Sequence, residues 1–170
     1  MDAHFPLCIG SKRWRRVHSY STHTTGDLLK GSDMFDAVHH IAYVVPDLDK
    51  GLELFRDTLG MVPDKIWESL EEGNRYALLQ IGDTESYIEL ISPTDVDKSR
   101  FAAHLQEHGP SVHHVAFRDD AMDATLATLR DTLGIGSTKP IVSSSGWRIS
   151  FLDTDKTQEL GLQLVDRKRD

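Results

Sequence analysis

The segment Val38-His39-His40-Ile41-Ala42-Tyr43 recurs 74 residues later as Val112-His113-His114-Val115-Ala116-Phe117. At this offset, 11 of the 24 positions in 38–61 are identical to their counterparts in 112–135, without a gap. The same offset aligns Ile88-Glu89-Leu90-Ile91 with Leu162-Gln163-Leu164-Val165. Because two copies are too few for a solenoid, the repeat predicts two equivalent modules that pack against each other.

Each module shows the pattern of a strand, an amphipathic helix and three short strands. In the first module the strands are predicted near 37–45, 65–68, 75–81 and 86–92, with the helix over 48–59. Leu48, Leu52, Phe55 and Leu59 follow helical spacing along one face of that helix. The second module repeats the plan, with strands near 112–117, 137–142, 147–153 and 159–166 and a helix over 122–133. The pattern predicts an α+β fold in which two βαβββ modules, related by a pseudo-two-fold duplication, form a curved mixed sheet.

The composition excludes several classes of protein. A net charge of −8 over 170 residues, without a large basic stripe, argues against nucleic-acid binding. The single cysteine, Cys8, excludes an intrachain disulfide framework and favours a reducing compartment. No apolar run approaches the roughly 18 residues of a membrane span. These properties predict a globular protein that neither binds nucleic acid nor spans a membrane.

Residues 1–34 are net basic and rich in Ser, Thr, His and Gly, whereas the remainder of the chain is acidic. We interpret them as an N-terminal extension of a single domain over 35–170. That domain consists of module 1 at about 36–93, a linker at 94–110 with a short helix, and module 2 at about 111–166. We expect a cytoplasmic protein, and a mitochondrial one if the extension includes a transit peptide.

Polar side chains at matching positions of the two modules point to a shared site. Successive residues of a strand face opposite sides of a sheet. If Ile41 lies beneath the amphipathic helix, His40 faces the concave side, and the repeat gives His114 the same direction. By the same alternation, Glu89 and Gln163 turn away from the apolar face of their strands. Two-fold packing of the modules would bring these four side chains together.

Two imidazoles, one carboxylate and one amide oxygen suit an octahedral divalent metal ion such as Co, Ni, Zn, Mn or Fe. The predicted ligands are His40, Glu89, His114 and Gln163. His39, on the same face as Ile41, and His113 are interpreted as structural. His104 and His108, in the linker helix, are predicted to face solvent.

Paired βαβββ modules that each open with His-His-Ile/Val-Ala resemble the vicinal oxygen chelate (glyoxalase, bleomycin resistance and dioxygenase) superfamily over about 36–166. Within it, the chain is most similar to the methylmalonyl-CoA epimerase family. Besides the two His-His motifs, the resemblance rests on Val45-Pro46-Asp47-Leu48, Ile88-Glu89-Leu90-Ile91-Ser92-Pro93 and Gly146-Trp147-Arg148-Ile149-Ser150-Phe151.

In that family a first-strand His, a fourth-strand Gln or Glu, a second-half His and a last-strand Glu bind the metal, which matches the four predicted ligands. The chain departs from the family at two places. The last-strand Glu, also a candidate acid or base, is replaced by Gln163, and an amide cannot transfer a proton. The third strand, Tyr76-Ala77-Leu78-Leu79, holds no acidic residue. Glu68 lies nearby, and we interpret it as a surface carboxylate.

The resemblance implies a divalent-metal-dependent isomerase or epimerase that stabilises the enolate of a small carbonyl or acyl-CoA substrate, as epimerases or glyoxalases do. Glu89 is the carboxylate that alternation places at the site, so it is the candidate catalytic base. The segment Ser143-Ser144-Ser145-Gly146 and Arg148 form a weaker candidate for binding an anionic end of the substrate; a plain hairpin loop is the favoured interpretation.

Three alternatives stay open. His40, His114 and Glu89 are also the ligand type of Fe(II)-dependent dioxygenases. A non-enzymatic small-molecule binding protein of the resistance type shares the fold, although the retained histidines argue against it. The third alternative is a specialised isomerase or cyclase whose substrate is not a CoA ester. Members of the superfamily often pair, so we expect a homodimer.

Overall fold

The computed structural model describes residues 34–166, so the predicted N-terminal extension lies outside the described residues except for Met34. One sheet contains the strands β1 (Ala37–Val44), β2 (Val62–Ser69), β3 (Asn74–Gln80), β4 (Tyr87–Pro93), β5 (Ser111–Arg118), β6 (Ile141–Val142), β7 (Arg148–Phe151) and β8 (Leu162–Asp166). The helices are α1 (Leu48–Leu52), which continues as a π-helical segment (Glu53–Thr58), α2 (Ala102–His108) and α3 (Met122–Leu133). Within 34–166, no helix has the length and apolar character needed to cross a membrane.

The sheet has the strand order β2-β3-β4-β1-β5-β8-β7-β6. At its centre β1 and β5 run antiparallel, and each is flanked by the last strand of its own module in parallel orientation. The order of strands outward from the centre is therefore the same in both modules. The predicted α+β fold, with two βαβββ modules in a curved mixed sheet, is confirmed.

The helices cover the convex face of the sheet, as the apolar spacing predicts. Leu48 and Leu52 of α1 are buried in a cluster with Leu90, and Ile41 and Tyr43 pack against it. In the second module the corresponding cluster contains Met122, Leu126, Leu129, Leu152 and Leu164. Because both helices cover the convex face, the concave face is left for the polar side chains.

The helix predicted over 48–59 is not uniform, and its last apolar residue does not face the core. After Leu52 the turns widen, and the Leu59 amide donates to the Leu54 carbonyl at 3.0 Å, five residues back. A wider turn rotates the following side chains relative to a regular α-helix. Leu59 is 59% exposed, so the prediction that it lies on the buried face is wrong. Its counterpart Leu133, at the end of the regular helix α3, is also 48% exposed, so the position at the helix end accounts for the exposure.

Candidate metal centre and active site

The two central strands each carry a bulge at the first histidine of the repeated motif. The register between β1 and β5 leaves His39 as an extra residue in β1 and His113 as an extra residue in β5. A bulge interrupts the alternation of faces and redirects a side chain. The ring of His39 consequently packs 4.3 Å from that of Trp147, on the concave side, and not with Ile41 beneath α1.

Three of the four predicted ligands converge on one point of the concave face. The Nε2 atoms of His40 and His114 lie 3.1 Å apart, and Glu89 Oε2 lies 3.5 Å from His40 Nε2. One ligand atom from each residue falls within 4.8 Å of the others, and all three residues are buried. Two nitrogens bound at about 2.1 Å to one ion, at a right angle, would stand about 3.0 Å apart. The cluster is therefore a candidate metal site.

The electrostatics of the cluster favour cation binding. Burial, followed by the neighbouring histidines, holds the pKa of His40 and of His114 well below the usual value. Both imidazoles are therefore neutral at physiological pH, which is the form that binds metal ions. Burial raises the pKa of Glu89 to about 7, although the positive charge of Arg100 opposes the shift.

Each of the two predicted ligand histidines contacts the histidine that precedes it in the sequence. His39 Nδ1 lies 2.8 Å from His40 Nδ1, and His113 Nδ1 lies 3.0 Å from His114 Nδ1. With a cation on Nε2, the ligand Nδ1 carries the proton and donates it to the adjacent ring. The bulges make these contacts between consecutive residues possible. The structural role predicted for His39 and His113 is consistent with this geometry.

Gln163 lines the same pocket as the three clustered residues. It is 2% exposed, and its Oε1 has no hydrogen-bond partner among the described residues. A buried acceptor without a donor is unfavourable unless a ligand or cation satisfies it. The chain before β8 can pack closely against β5 only because residue 161 is glycine. A Cβ at Gly161 would collide with the His113 carbonyl oxygen.

The pocket, of about 350 Å³ including its mouth, has a second wall that the sequence analysis missed. This wall contains Trp67, Glu72, Tyr76, Arg100 and Phe101. Alternation could have identified Tyr76, since Leu78 pairs with Glu89 and Tyr76 shares its face. Alternation could not have identified Glu72 or Arg100, because neither residue lies in a strand. Glu72 belongs to the β2–β3 turn and Arg100 to the linker.

Arg100 is the arginine that lines this pocket. Its guanidinium lies 4.8 Å from the ring centre of Phe101 and 4.9 Å from that of Phe151, and it forms no ion pair with the acidic residues described. Arg148, the arginine singled out from the sequence, is instead paired with Asp123 and Asp166. The structure therefore directs Arg148 away from the anion-binding role considered for it.

Three further predictions can be compared with the structure. The serine segment lines the pocket through Ser143, Ser144 and Ser145, so it is more than a plain hairpin loop. Glu68 is exposed, as predicted for a surface carboxylate. His104 is half-buried and bonds Ser111 Oγ at 2.9 Å, so the prediction that it faces solvent is wrong. Its ring also packs against the ring of His113, which helps to keep it from solvent.

The chain is similar to several epimerases of known sequence and structure. The chain is 30% identical over 94 residues to a mouse mitochondrial methylmalonyl-CoA epimerase, covering 55% of this chain and 51% of that protein. It is 30% identical over 113 residues to a 2-epi-5-epi-valiolone epimerase of Actinomyces, covering 58% and 60%. The chain thus spans about half the length of these relatives, or slightly more.

Among solved structures, a Streptomyces coelicolor methylmalonyl-CoA epimerase variant in complex with 2-nitronate-propionyl-CoA superposes with a TM-score of 0.72. It is 33% identical, and the match covers 79% of this chain and 99% of that one. The predicted resemblance to epimerases is confirmed. A profile of the glyoxalase/bleomycin resistance protein/dioxygenase superfamily matches residues 39–151, and the chain therefore belongs to this superfamily.

Proposed function

We propose that this chain is a divalent-metal-dependent epimerase that inverts a stereocentre next to a carbonyl group in an acyl-CoA or a related small carbonyl compound. The observation that carries the proposal is the buried cluster of His40, Glu89 and His114, with the unpaired Gln163 oxygen in the same pocket. The names of the relatives support the reaction class, since both are epimerases.

The proposed ligands are His40, Glu89, His114 and Gln163, and their nitrogen and oxygen donors suit Co, Ni, Zn, Mn or Fe. A bound divalent ion supplies positive charge that stabilises the enolate oxygen formed when the α-proton leaves. Gln163 contributes a neutral oxygen and transfers no proton. Glu89 is the ligand that can also take and return a proton, since it is a carboxylate and Gln163 is an amide.

The second wall of the pocket supports an anionic substrate. Arg100 holds a positive charge at the pocket, and the rings of Phe101 and Phe151 fix its position. A guanidinium that is not neutralised by a protein carboxylate is available to a carboxylate or phosphate of the substrate. This feature favours an acyl-CoA, or a small carbonyl compound that bears its own acid group, over a neutral compound.

The proposal is tested with methylmalonyl-CoA and the metal-loaded protein in deuterium oxide. We expect both epimerisation and incorporation of deuterium at the α-carbon, and loss of both after His40→Ala. His108→Ala is the matched control, because His108 is exposed and does not line this pocket. Metal binding without exchange would contradict the acyl-CoA substrate, and oxygen uptake with Fe(II) would favour the dioxygenase alternative. A protein that binds small molecules but no metal would favour the resistance-type alternative.

We further propose that the chain forms a homodimer, as the resemblance implies, and sedimentation of the purified protein tests this. The proposed compartment stays cytoplasmic, with a mitochondrial location as the alternative. The mouse relative is named mitochondrial, and fractionation of cells expressing the full chain separates the two.

A further inference from the structure

We propose that Glu72 is a second proton-transfer group, which acts on the face of the substrate opposite to Glu89. The inference rests on the proposed epimerase function, because inversion by two groups needs one on each side of the α-carbon. Glu72 lines the same pocket as the candidate metal ligands, and it is half-buried.

Glu72 reaches the pocket from a different part of the fold than Glu89. Glu89 lies within β4, whereas Glu72 belongs to the turn between β2 and β3. There it contacts Ser144, from the turn between β6 and β7, at the opposite edge of the sheet. The two carboxylates thus enter the pocket from different structural elements, which suits one carboxylate on each side of a substrate.

A hydrogen-bond network holds one oxygen of Glu72. The Tyr76 hydroxyl donates to Glu72 Oε2 at 2.6 Å, and the Ser144 hydroxyl donates to the same oxygen at 2.8 Å. Glu72 Oε1 forms no hydrogen bond with the residues described, so it is available to a substrate. The carboxylate is thus fixed through one oxygen and can react through the other.

The surrounding donors determine the direction of these bonds. The indole of Trp67 can only donate, and it donates to Ser144 Oγ at 3.1 Å. The side-chain amide of Asn74 likewise donates to the Tyr76 oxygen at 3.0 Å. Each hydroxyl already accepts a bond, so each directs its own proton at Glu72. Two donors on one oxygen hold the carboxyl group in a fixed orientation.

The reaction balances with these two groups alone. The Cα–H bond of one epimer breaks, its electron pair moves to the carbonyl to form an enolate, and the proton bonds to Glu72. Glu89, protonated on the carboxyl oxygen that would not contact the ion, then returns that proton to the opposite face and forms the new C–H bond. Glu72 has gained one proton and Glu89 has lost one, and exchange with water restores both. The other epimer reacts in the reverse order.

The experiment compares Glu72→Gln with wild type in deuterium oxide, starting from each epimer of methylmalonyl-CoA separately. We expect epimerisation to fall by about 10²-fold or more, the usual contribution of a general acid or base. The epimer whose proton faces Glu89 should still exchange it, without inversion. Glu71→Gln is the matched control, since Glu71 is the exposed neighbour in the same turn and does not line the pocket. Unchanged metal content in both variants reports an intact site.

Epimerisation by Glu72→Gln at the wild-type rate would overturn the inference and leave the proposed function intact. Loss of exchange from both epimers, with metal still bound, would also overturn it, because Glu72 would then not act on one face alone. A wild-type protein that neither exchanges nor epimerises would overturn the proposed function, and this inference with it. Tyr76→Phe keeps the carboxylate and removes one donor, so it should reduce epimerisation less than Glu72→Gln does.

Discussion

The two modules of this protein share a scaffold but differ in the chemistry that they bring to the pocket. Each contributes a central strand with a bulge at the first histidine of the motif and a proposed ligand histidine at the second. Each ligand ring is held through Nδ1 by the ring before it. At the equivalent position of the last strand, however, module 1 has Glu89 and module 2 has Gln163.

This difference shows which features a duplicated site can keep and which it can change. The proposed metal site takes one histidine from each module, and the histidine pairs and bulges of the two modules are alike. Proton transfer needs a titratable group, and module 1 supplies both candidates, Glu89 and Glu72. Module 2 supplies the neutral Gln163 and the serine turn that orients Glu72. The scaffold is therefore symmetric, whereas the proposed catalysis is not.

The largest effect is expected when the one charged ligand is neutralised. Glu89→Gln makes the modules alike, each with an amide, and removes a proton-transfer group from the pocket. We expect kcat/KM for epimerisation, measured at saturating metal, to fall by about 10²- to 10⁴-fold. The double variant Glu89→Gln with Gln163→Glu restores the charge in module 2 and should recover metal affinity. Activity within tenfold of wild type for Glu89→Gln would contradict the role of Glu89.

The next effect concerns the histidines that orient the ligands. His39→Ala and His113→Ala each remove a partner of a ligand Nδ1, and loss of such a partner lowers metal affinity by about 10- to 100-fold. Because the contacts are equivalent, the two variants should lose similar affinity in calorimetric titrations. His108→Ala, in the exposed part of the linker helix, should be neutral. If only one of the two variants lost metal affinity, the two histidine contacts would not be functionally equivalent.

The pH dependence of metal affinity separates the carboxylate from the histidines. Burial raises the pKa of Glu89 to about 7, so below that pH the metal must displace a proton from it. Burial lowers the pKa of His40 and His114, so these rings are already neutral across the same range. Affinity should rise up to about tenfold per pH unit between pH 5 and 7 and then level off. The slope should disappear in Glu89→Gln, and its persistence there would assign it to other groups.

The smallest effect is expected at Arg100, which lies between the modules and belongs to neither repeat. Arg100→Ala removes an exposed cation, and such a charge contributes up to about 1 kcal/mol to binding an anion, or roughly fivefold in KM. Arg100→Lys keeps the charge but loses the planar stacking on Phe101 and Phe151, so it should restore KM only in part. A change in kcat without a change in KM would argue against substrate binding by Arg100.

The sequence predicted those features that depend on the 74-residue repeat and on the two-residue alternation of side chains in strands. The offset of 74 residues gives the two modules, and alternation within strands gives the direction of His40, Glu89, His114 and Gln163. These features depend on local backbone geometry, which a period of two describes well. The structure brings all four into one pocket.

Other features depend on local irregularities of the backbone or on long-range contacts, which a regular spacing of residues cannot predict. The bulge at His39 changes the face of one residue, and alternation alone assigned this ring to the wrong side. Leu59 and its counterpart Leu133 follow the apolar spacing, but both lie at a helix end and are exposed. Glu72 reaches the pocket only because the sheet brings its turn beside Ser144, 72 residues away.

Metal titration of the wild-type protein beside His40→Ala and His114→Ala tests the central claim, that both modules bind one shared ion. The metal-free protein would be titrated with Co or Zn, with His108→Ala as the control. We predict that the wild type binds one ion per chain and that the two variants lose similar metal affinity, by more than about 100-fold. Loss of a direct ligand should lower the affinity more than loss of a residue that only orients a ligand. No bound ion in the wild type, or a full ion retained after either substitution, would contradict a site shared by the two modules.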